Sequence, residues 1–177
     1  VLALSDVSFV GSLLDQMGLS APVRGKVLGF IARKNVPGLC VLAERGELTG
    51  EQADGLRELV ELYAPLKEGI GRVGRLAKSN AAWEALRQLS LTAGLLESFG
   101  LEGRVRLDFS LVNSMDYYNG VIFQGFLPGL HTPVLSGGRY DNLPRKMGKQ
   151  VGAIGFALSM GLLEERADGG RFDADRS

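Results

Sequence analysis

Three short segments hold the residues whose types and spacing could do chemistry. Leu111 to Gly120 reads Leu-Val-Asn-Ser-Met-Asp-Tyr-Tyr-Asn-Gly, with two adjacent tyrosines behind an acid. Ser136 to Asp141 reads Ser-Gly-Gly-Arg-Tyr-Asp. Gly152 to Leu163 is an apolar stretch with glycines at Gly152, Gly155 and Gly161. A phenol is a neutral donor and acceptor, so tyrosine can hold a polar ligand group without demanding a charge. Adjacent residues of a strand point to opposite faces, so Tyr117 and Tyr118 would send one ring into a core and the other along a groove. Gly137-Gly138 removes two side chains from a strand, which costs packing unless a ligand or a helix approaches the backbone. Together these residues describe a shallow, glycine-floored pocket edged by tyrosines. The residues alone leave two readings open: the tyrosines bind a ligand, or they pack the rim of a sheet.

The hydrophobic period predicts the elements that would position them. Val1–Leu4 reads as a short strand and Ser5-Asp6 as a helix N-cap. Val7, Val10, Leu13, Leu14 and Met17 recur at helical spacing up to Gly18. A second helix starts at Ser20-Ala21-Pro22, carries Val27, Leu28 and Ile31, and breaks at Asn35 to Gly38. Leu39–Arg45 and Thr49–Tyr63 are predicted helices, and Leu66–Leu76 is a helix weakened by Gly69, Gly71 and Gly74. Asn80–Phe99 is the longest, with Trp83, Leu86, Leu89, Leu95, Leu96 and Phe99 expected on its buried side. The period then falls to two at Val105, Leu107, Phe109 and Leu111, which predicts a half-buried strand. Tyr117–Phe126 and Pro133–Ser136, running into Gly137-Gly138, are further strands of an antiparallel sheet. Asp141–Met147 is a short helix or loop. Val151–Glu165 is predicted as a glycine-rich helix closing the fold under the sheet.

Segregated helices and strands make the fold class α+β. The expected organisation is a core from residues 1–19 and 80–166, a helical insertion at 20–79 and a polar tail at 167–177. The opening at Val1, directly on an apolar alternating segment, is expected of a piece of a longer protein.

Composition narrows the function. Lys and Arg together number 20, as do Asp and Glu, so the net charge of +0 argues against broad phosphate binding. No apolar run approaches the ~18 residues of a membrane span. The single cysteine, Cys40, is expected as a small buried hydrophobe. His131 is the one histidine, and without a second His or Cys cluster no metal site is expected. Arg139 and Asp141 are expected to pair with each other or with neighbouring strands. A cytoplasmic protein with no membrane partner fits this composition.

The three segments, in this order and spacing, resemble the two histidine-specific motifs and the third class II motif of histidyl-tRNA synthetases. The family patterns are Arg-Gly-Leu-Asp-Tyr-Tyr, Ala-Gly-Gly-Arg-Tyr-Asp, and a Gly-Phe-Ala helix carrying an arginine. The match covers about Arg104 to Glu165, and residues 1–99 agree more loosely. The resemblance implies the C-terminal part of a class II synthetase-like core, an antiparallel sheet flanked by helices, with a helical insertion. It also implies a histidine pocket at Met115, Tyr118, Gly137, Gly138 and Tyr140, where the phenols would face the imidazole.

Two positions depart from the pattern. Asn113 stands where the first motif has its arginine, and Leu162 where the third motif has its ATP-binding arginine. In the family the first arginine stabilises charge as the histidine carboxylate attacks the α-phosphate, and asparagine or leucine supplies no such term. No catalytic residue and no cofactor are therefore expected. This pattern is similar to the regulatory subunits of short-form ATP phosphoribosyltransferase, a family that keeps the synthetase fold without aminoacylation. The resemblance implies as partners the short catalytic phosphoribosyltransferase subunit and free histidine, and a homodimer within a hetero-oligomer. No tRNA partner is expected on this reading. The alternative is a fragment of a histidine–tRNA ligase.

Overall fold

The computed structural model describes residues 1–112 and 117–164. Strand β1 (Leu2–Asp6) passes directly into helix α1 (Val7–Gln16). Asp6 makes that junction sharp, because its Oδ1 accepts the N–H groups of Ser8 at 2.8 Å and Phe9 at 3.0 Å. Gly18, at φ +63°, releases the chain from the helix. Helices α2 (Ala21–Ala32), α3 (Val36–Glu44) and α4 (Gly50–Glu61) follow. Asn35 accepts the Gly38 N–H at 3.0 Å, so the residues expected to break the chain instead cap α3, three positions earlier than the predicted start. Thr49 and Gln52 form a reciprocal capping box at α4. The two-residue β2 (Ala64–Pro65), α5 (Leu66–Val73) and α6 (Asn80–Ser98) lead to the second half.

That half contains β3 (Val105–Leu107), β4 (Val121–Gly125), β5 (Leu135–Arg139), the short α7 (Asn142–Lys146) and β6 (Ile154–Leu158). The six strands form one sheet in the order β2-β3-β1-β4-β5-β6. All neighbours are antiparallel except β1 and β3, which run parallel. Parallel neighbours need a long crossover, and the helices α1–α6 provide it. Cross-strand partners share a face. Ala3, Gln124, Ser136 and Ala157 therefore line one face, and Leu4, Phe123, Gly137 and Phe156 the other.

One buried cluster joins sheet and helices. Leu4, Phe9, Leu13, Ile31, Leu39, Leu59, Leu89 and Leu107 all belong to it, so α2–α4 pack against the same core as α1 and α6. The expected insertion at 20–79 also supplies β2, whose Ala64 pairs with Leu107.

Three sequence expectations are corrected here. Residues 154–158 are strand β6, not part of a helix. Gly155 and Ala157 on one face and Ile154, Phe156 and Leu158 on the other form a period of two, glycine is a poor helix former, and β5 offers a partner along its whole length. Helix begins only at residue 160. The predicted strand Tyr117–Phe126 is confined to β4, with the described residues 117–120 in a turn, so the two tyrosines do not obey strand alternation. Trp83, Leu95 and Phe99 are exposed rather than buried on α6. The buried line of that helix is Ala82, Ala85, Leu86, Leu89 and Ala93, and at 3.6 residues per turn the three exposed side chains stand about 100° or more away from its centre.

Candidate functional site

A cavity of ≈ 590 Å³ opens on the Ala3–Gln124–Ser136 face of the sheet. Tyr63, Asp108, Ser110, Tyr118, Gln124 and Ser136 are among its lining residues. The sheet supplies its floor, the chain just after β3 one wall, and the ends of α2 and α4 another, through Ala32 and Tyr63. Among the described lining residues there is no lysine or arginine.

Three tyrosines gather beside this cavity. Tyr117 stacks on Tyr140 with ring centroids 5.3 Å apart, and Tyr118 meets Tyr117 edge-on at 4.8 Å. Tyr118 and Tyr140 are 6.5 Å apart at a steep angle. Edge-on and offset contacts of this kind suit the ring quadrupoles. Burial pushes the Tyr118 phenol up from its ordinary value, with Tyr117 and Tyr140 adding to the shift, so it stays a neutral donor across the physiological range.

The glycines explain how the rings lie so low. A Cβ on Gly138 would sit 2.8 Å from Tyr118 Cδ1, and one on Gly155 would sit 2.8 Å from the Tyr140 hydroxyl. Gly137 serves the opposite face, where its Cβ would meet Phe123 Cζ at 2.6 Å. The two glycines of the motif therefore seat aromatic rings on the two sides of the sheet.

A polar knot fixes Tyr140. The Asp141 carboxylate accepts from Arg139 Nε at 2.8 Å and Nη2 at 2.7 Å, and from the Ala153 N–H at 2.9 Å. The Asp141 N–H donates to Asn119 Oδ1 at 3.0 Å, and the Tyr140 N–H to the Ala153 carbonyl at 2.8 Å. The turn after the tyrosine pair, the end of β5 and the start of β6 are thereby tied together. The Arg139 hydrogen bonds hold the Asp141 carboxyl below the ordinary carboxylate range, against the opposing pull of burial. Arg139 and Asp141 thus pair with each other and act on the site through Tyr140.

The residues expected at the histidine pocket divide as follows. Tyr118, Tyr140 and Gly138 come together on one face, and Gly137 lies behind them. Met115 and Asn113 lie outside the described residues. Leu162 sits half-buried in the helical stretch 160–164 and offers no charge to a phosphate. His131 is an exposed loop residue, and Cys40 is half-buried. Among the described residues no group of His, Cys, Asp or Glu could hold a metal, and no helix is long and apolar enough to cross a membrane.

Two residues escaped the sequence reading. Asp108, just past β3, has 8 % exposure and receives the Ser110 N–H on Oδ1 at 2.9 Å. Its Oδ2 pairs with Lys34 Nζ at 2.9 Å, across the cavity wall from α2. An acid following a buried alternating strand was the one available signal for Asp108; nothing local marks Lys34.

Comparison with known proteins agrees with this geometry. The chain matches the profile described as "Histidyl-tRNA synthetase" over residues 1–163. It is 35% identical over 159 residues to an ATP phosphoribosyltransferase regulatory subunit of Symbiobacterium thermophilum, and 33% identical over 163 residues to that of Acetivibrio thermocellus. Each alignment covers 90% of this chain but only 39% and 38% of those relatives, so the chain spans about two fifths of their length. A solved ATP phosphoribosyltransferase regulatory subunit/histidyl-tRNA synthetase from Bacillus halodurans superposes with TM-score 0.84 at 29% identity, covering 93% of this chain and 43% of that one. With the profile matched from β1 to beyond β6, and with the mainly antiparallel sheet and its flanking helices superposing on that structure, the chain belongs to the histidyl-tRNA synthetase family and carries part of its class II core.

Proposed function

We propose that this chain is part of a noncatalytic regulatory subunit of ATP phosphoribosyltransferase, acting in the cytoplasm in histidine biosynthesis. The observation that carries the reading is an aromatic pocket in a chain whose sequence lacks two arginines of the related motifs. Tyr118 and Tyr140 lie over Gly138 and Gly155, while Asn113 and Leu162 stand where the related synthetases use arginine. Adenylate formation develops charge on a phosphate, and arginine is the residue suited to that task. A pocket that keeps neutral ring-holding groups and lacks those cations suits an amino acid that is sensed and not consumed. The names of the relatives at 33–35% identity support the same assignment.

On this reading Tyr118, Gly138 and Tyr140 frame a histidine site, with Gly137 behind them, and Met115 is assigned to it by the motif alone. The short catalytic phosphoribosyltransferase is the protein partner, in a hetero-oligomer built on a homodimer, and tRNA is not a ligand. The test is twofold. The full-length protein should co-purify with the short catalytic subunit and should give no histidine-dependent pyrophosphate exchange. Exchange at the rate of an ordinary synthetase would overturn the proposal in favour of a histidine–tRNA ligase, the reading favoured by the family profile's own description.

A further inference from the structure

The outer face of α6 carries a repeat that its own fold does not use. Ser90-Leu91, Gly94-Leu95 and Ser98-Phe99 recur every four residues, so on a helix they form two adjoining stripes, one small and one large. All six residues are exposed, with Leu91, Leu95 and Phe99 at 53%, 63% and 75%. Single exposed apolar side chains are ordinary on a protein surface, but three in one row make a patch. The face is also poor in polar groups to offer. Ser90 Oγ donates to the Leu86 carbonyl at 2.8 Å and Ser98 Oγ to the Leu95 carbonyl at 2.7 Å, so both hydroxyl protons are spent within the helix. Glu97 is the only charge from Gln88 to Gly100, and it pairs with Lys67 to one side.

Gly94 adds a second observation. A glycine in mid-helix weakens it relative to alanine. A Cβ at this position would meet nothing within 4 Å, so no contact among the described residues asks for glycine. Small residues at a helix crossing let a second backbone approach closely.

The pattern fits a copy of itself. With a second α6 laid antiparallel about a two-fold axis between Gly94 and Leu95, Leu91 lies beside Phe99 of the second copy. Leu95 then meets its own counterpart, and Gly94 meets Gly94, which lets the axes close to about 8 Å. Arg87 comes level with the exposed Glu102 of the second copy, whereas a parallel pair would set Arg87 against Arg87. Such a contact is isologous and closes on itself. Six residues fall well short of the roughly 800 Å² per partner that a free-standing dimer buries, so the contact forms between copies that a larger assembly already holds together.

We propose that the outer face of α6 is a contact surface for a second copy of this chain, the two helices crossing antiparallel at Gly94. The inference rests on the reading of the chain as a subunit of a hetero-oligomer, and it places a two-fold contact of that assembly on a named helix.

The test is oxidative cross-linking of the full-length protein, alone and with the short catalytic phosphoribosyltransferase, with the wild type as the blank. A disulfide needs Cα atoms within about 7 Å. Leu95→Cys lies at the axis and should cross-link to its own copy in at least one of the two settings. Ser90→Cys by itself should not, because its counterpart stands about nine residues, or ~13 Å, further along the pair. An equal mixture of Ser90→Cys and Ser98→Cys proteins should cross-link. Gly94→Gln should abolish the Leu95→Cys cross-link while the melting temperature stays the same or rises, since the helix gains propensity and only the crossing is blocked. Equal cross-linking by Ser90→Cys alone, or a cross-link that survives Gly94→Gln, overturns the inference. No cross-link in either setting, with the catalytic subunit still co-purifying, overturns it and leaves the regulatory reading standing. Loss of both takes down the two together.

Discussion

Asp6 serves two opposed roles. Its Oδ1 caps α1, yet the residue is only 2 % exposed, and burial holds its carboxyl above the ordinary value of 3.8 despite the N–H groups of Phe9 and Ser8 and the nearby Arg139 charge. A raised folded-state value means the folded chain binds the proton more tightly than the unfolded one, so stability falls as pH rises through the window above 3.8. Asp6→Asn keeps the capping oxygen and drops the charge. Denaturant unfolding should find this variant as stable as the wild type or more so at neutral pH, with a shallower decline across that window. Asp6→Ala should lose about 1 kcal/mol with the cap. An Asn variant that declines as steeply as the wild type would assign the slope to another group. At this scale the Asp6 cap and the tyrosine and glycine motifs were readable, because each is a local pattern. The Lys34–Asp108 pair was not, since it joins two remote stretches and neither residue breaks a pattern where it stands.

Helix α5 separates two meanings of glycine within a few residues. A Cβ on Gly69 would meet Leu107 Cδ2 at 2.9 Å and its Cβ at 3.0 Å, and Leu107 is fully buried with no room to yield. A Cβ on Gly71 would meet nothing within 4 Å. Alanine at Gly71 should therefore stabilise by about 0.5–1 kcal/mol through backbone entropy. Alanine at Gly69 should destabilise by about 1 kcal/mol net, because overpacking of about 1–3 kcal/mol outweighs the same helical gain. Thermal unfolding of the two variants should shift in opposite directions, and shifts of the same sign would refute the close packing of α5 on β3. The sequence could place this helix and lower its standing for its glycines, but it could not say which glycine mattered, since the answer sits on β3. The same limit applies to α6. Its span, Asn80–Phe99 with Gly100 as the stop, was legible, while its buried face was misjudged because alanines rather than Trp83 and Phe99 fill the core side. For β6, the apolar glycine-rich composition obscured a plain alternation that its partner strand makes obvious.

Across the whole molecule, the α+β class was readable from the change of period at Gly100, and the strand order was not. Inserting β1 between β3 and β4 requires pairing across the whole helical passage, which no local signal encodes. The outcome is an uneven coat. α5 packs on β3, and α1 and α6 share one buried cluster with Leu4 of β1 and Leu107 of β3, whereas Ile154, Phe156 and Leu158 on β6 stay exposed, Phe156 at 70 %. β6 is also the last strand of the sheet, so one side of its backbone has no strand partner among the described residues. This has a bearing on colloidal behaviour. An unpaired strand with a greasy face is a template on which another copy can add a strand. At these 177 residues the polypeptide should self-associate as its concentration rises, and Phe156→Lys should keep it dispersed, as sedimentation velocity would show; an unchanged association would mean that copies meet elsewhere. The strand that completes the tyrosine site is then also the element that sets how much of this protein stays in solution.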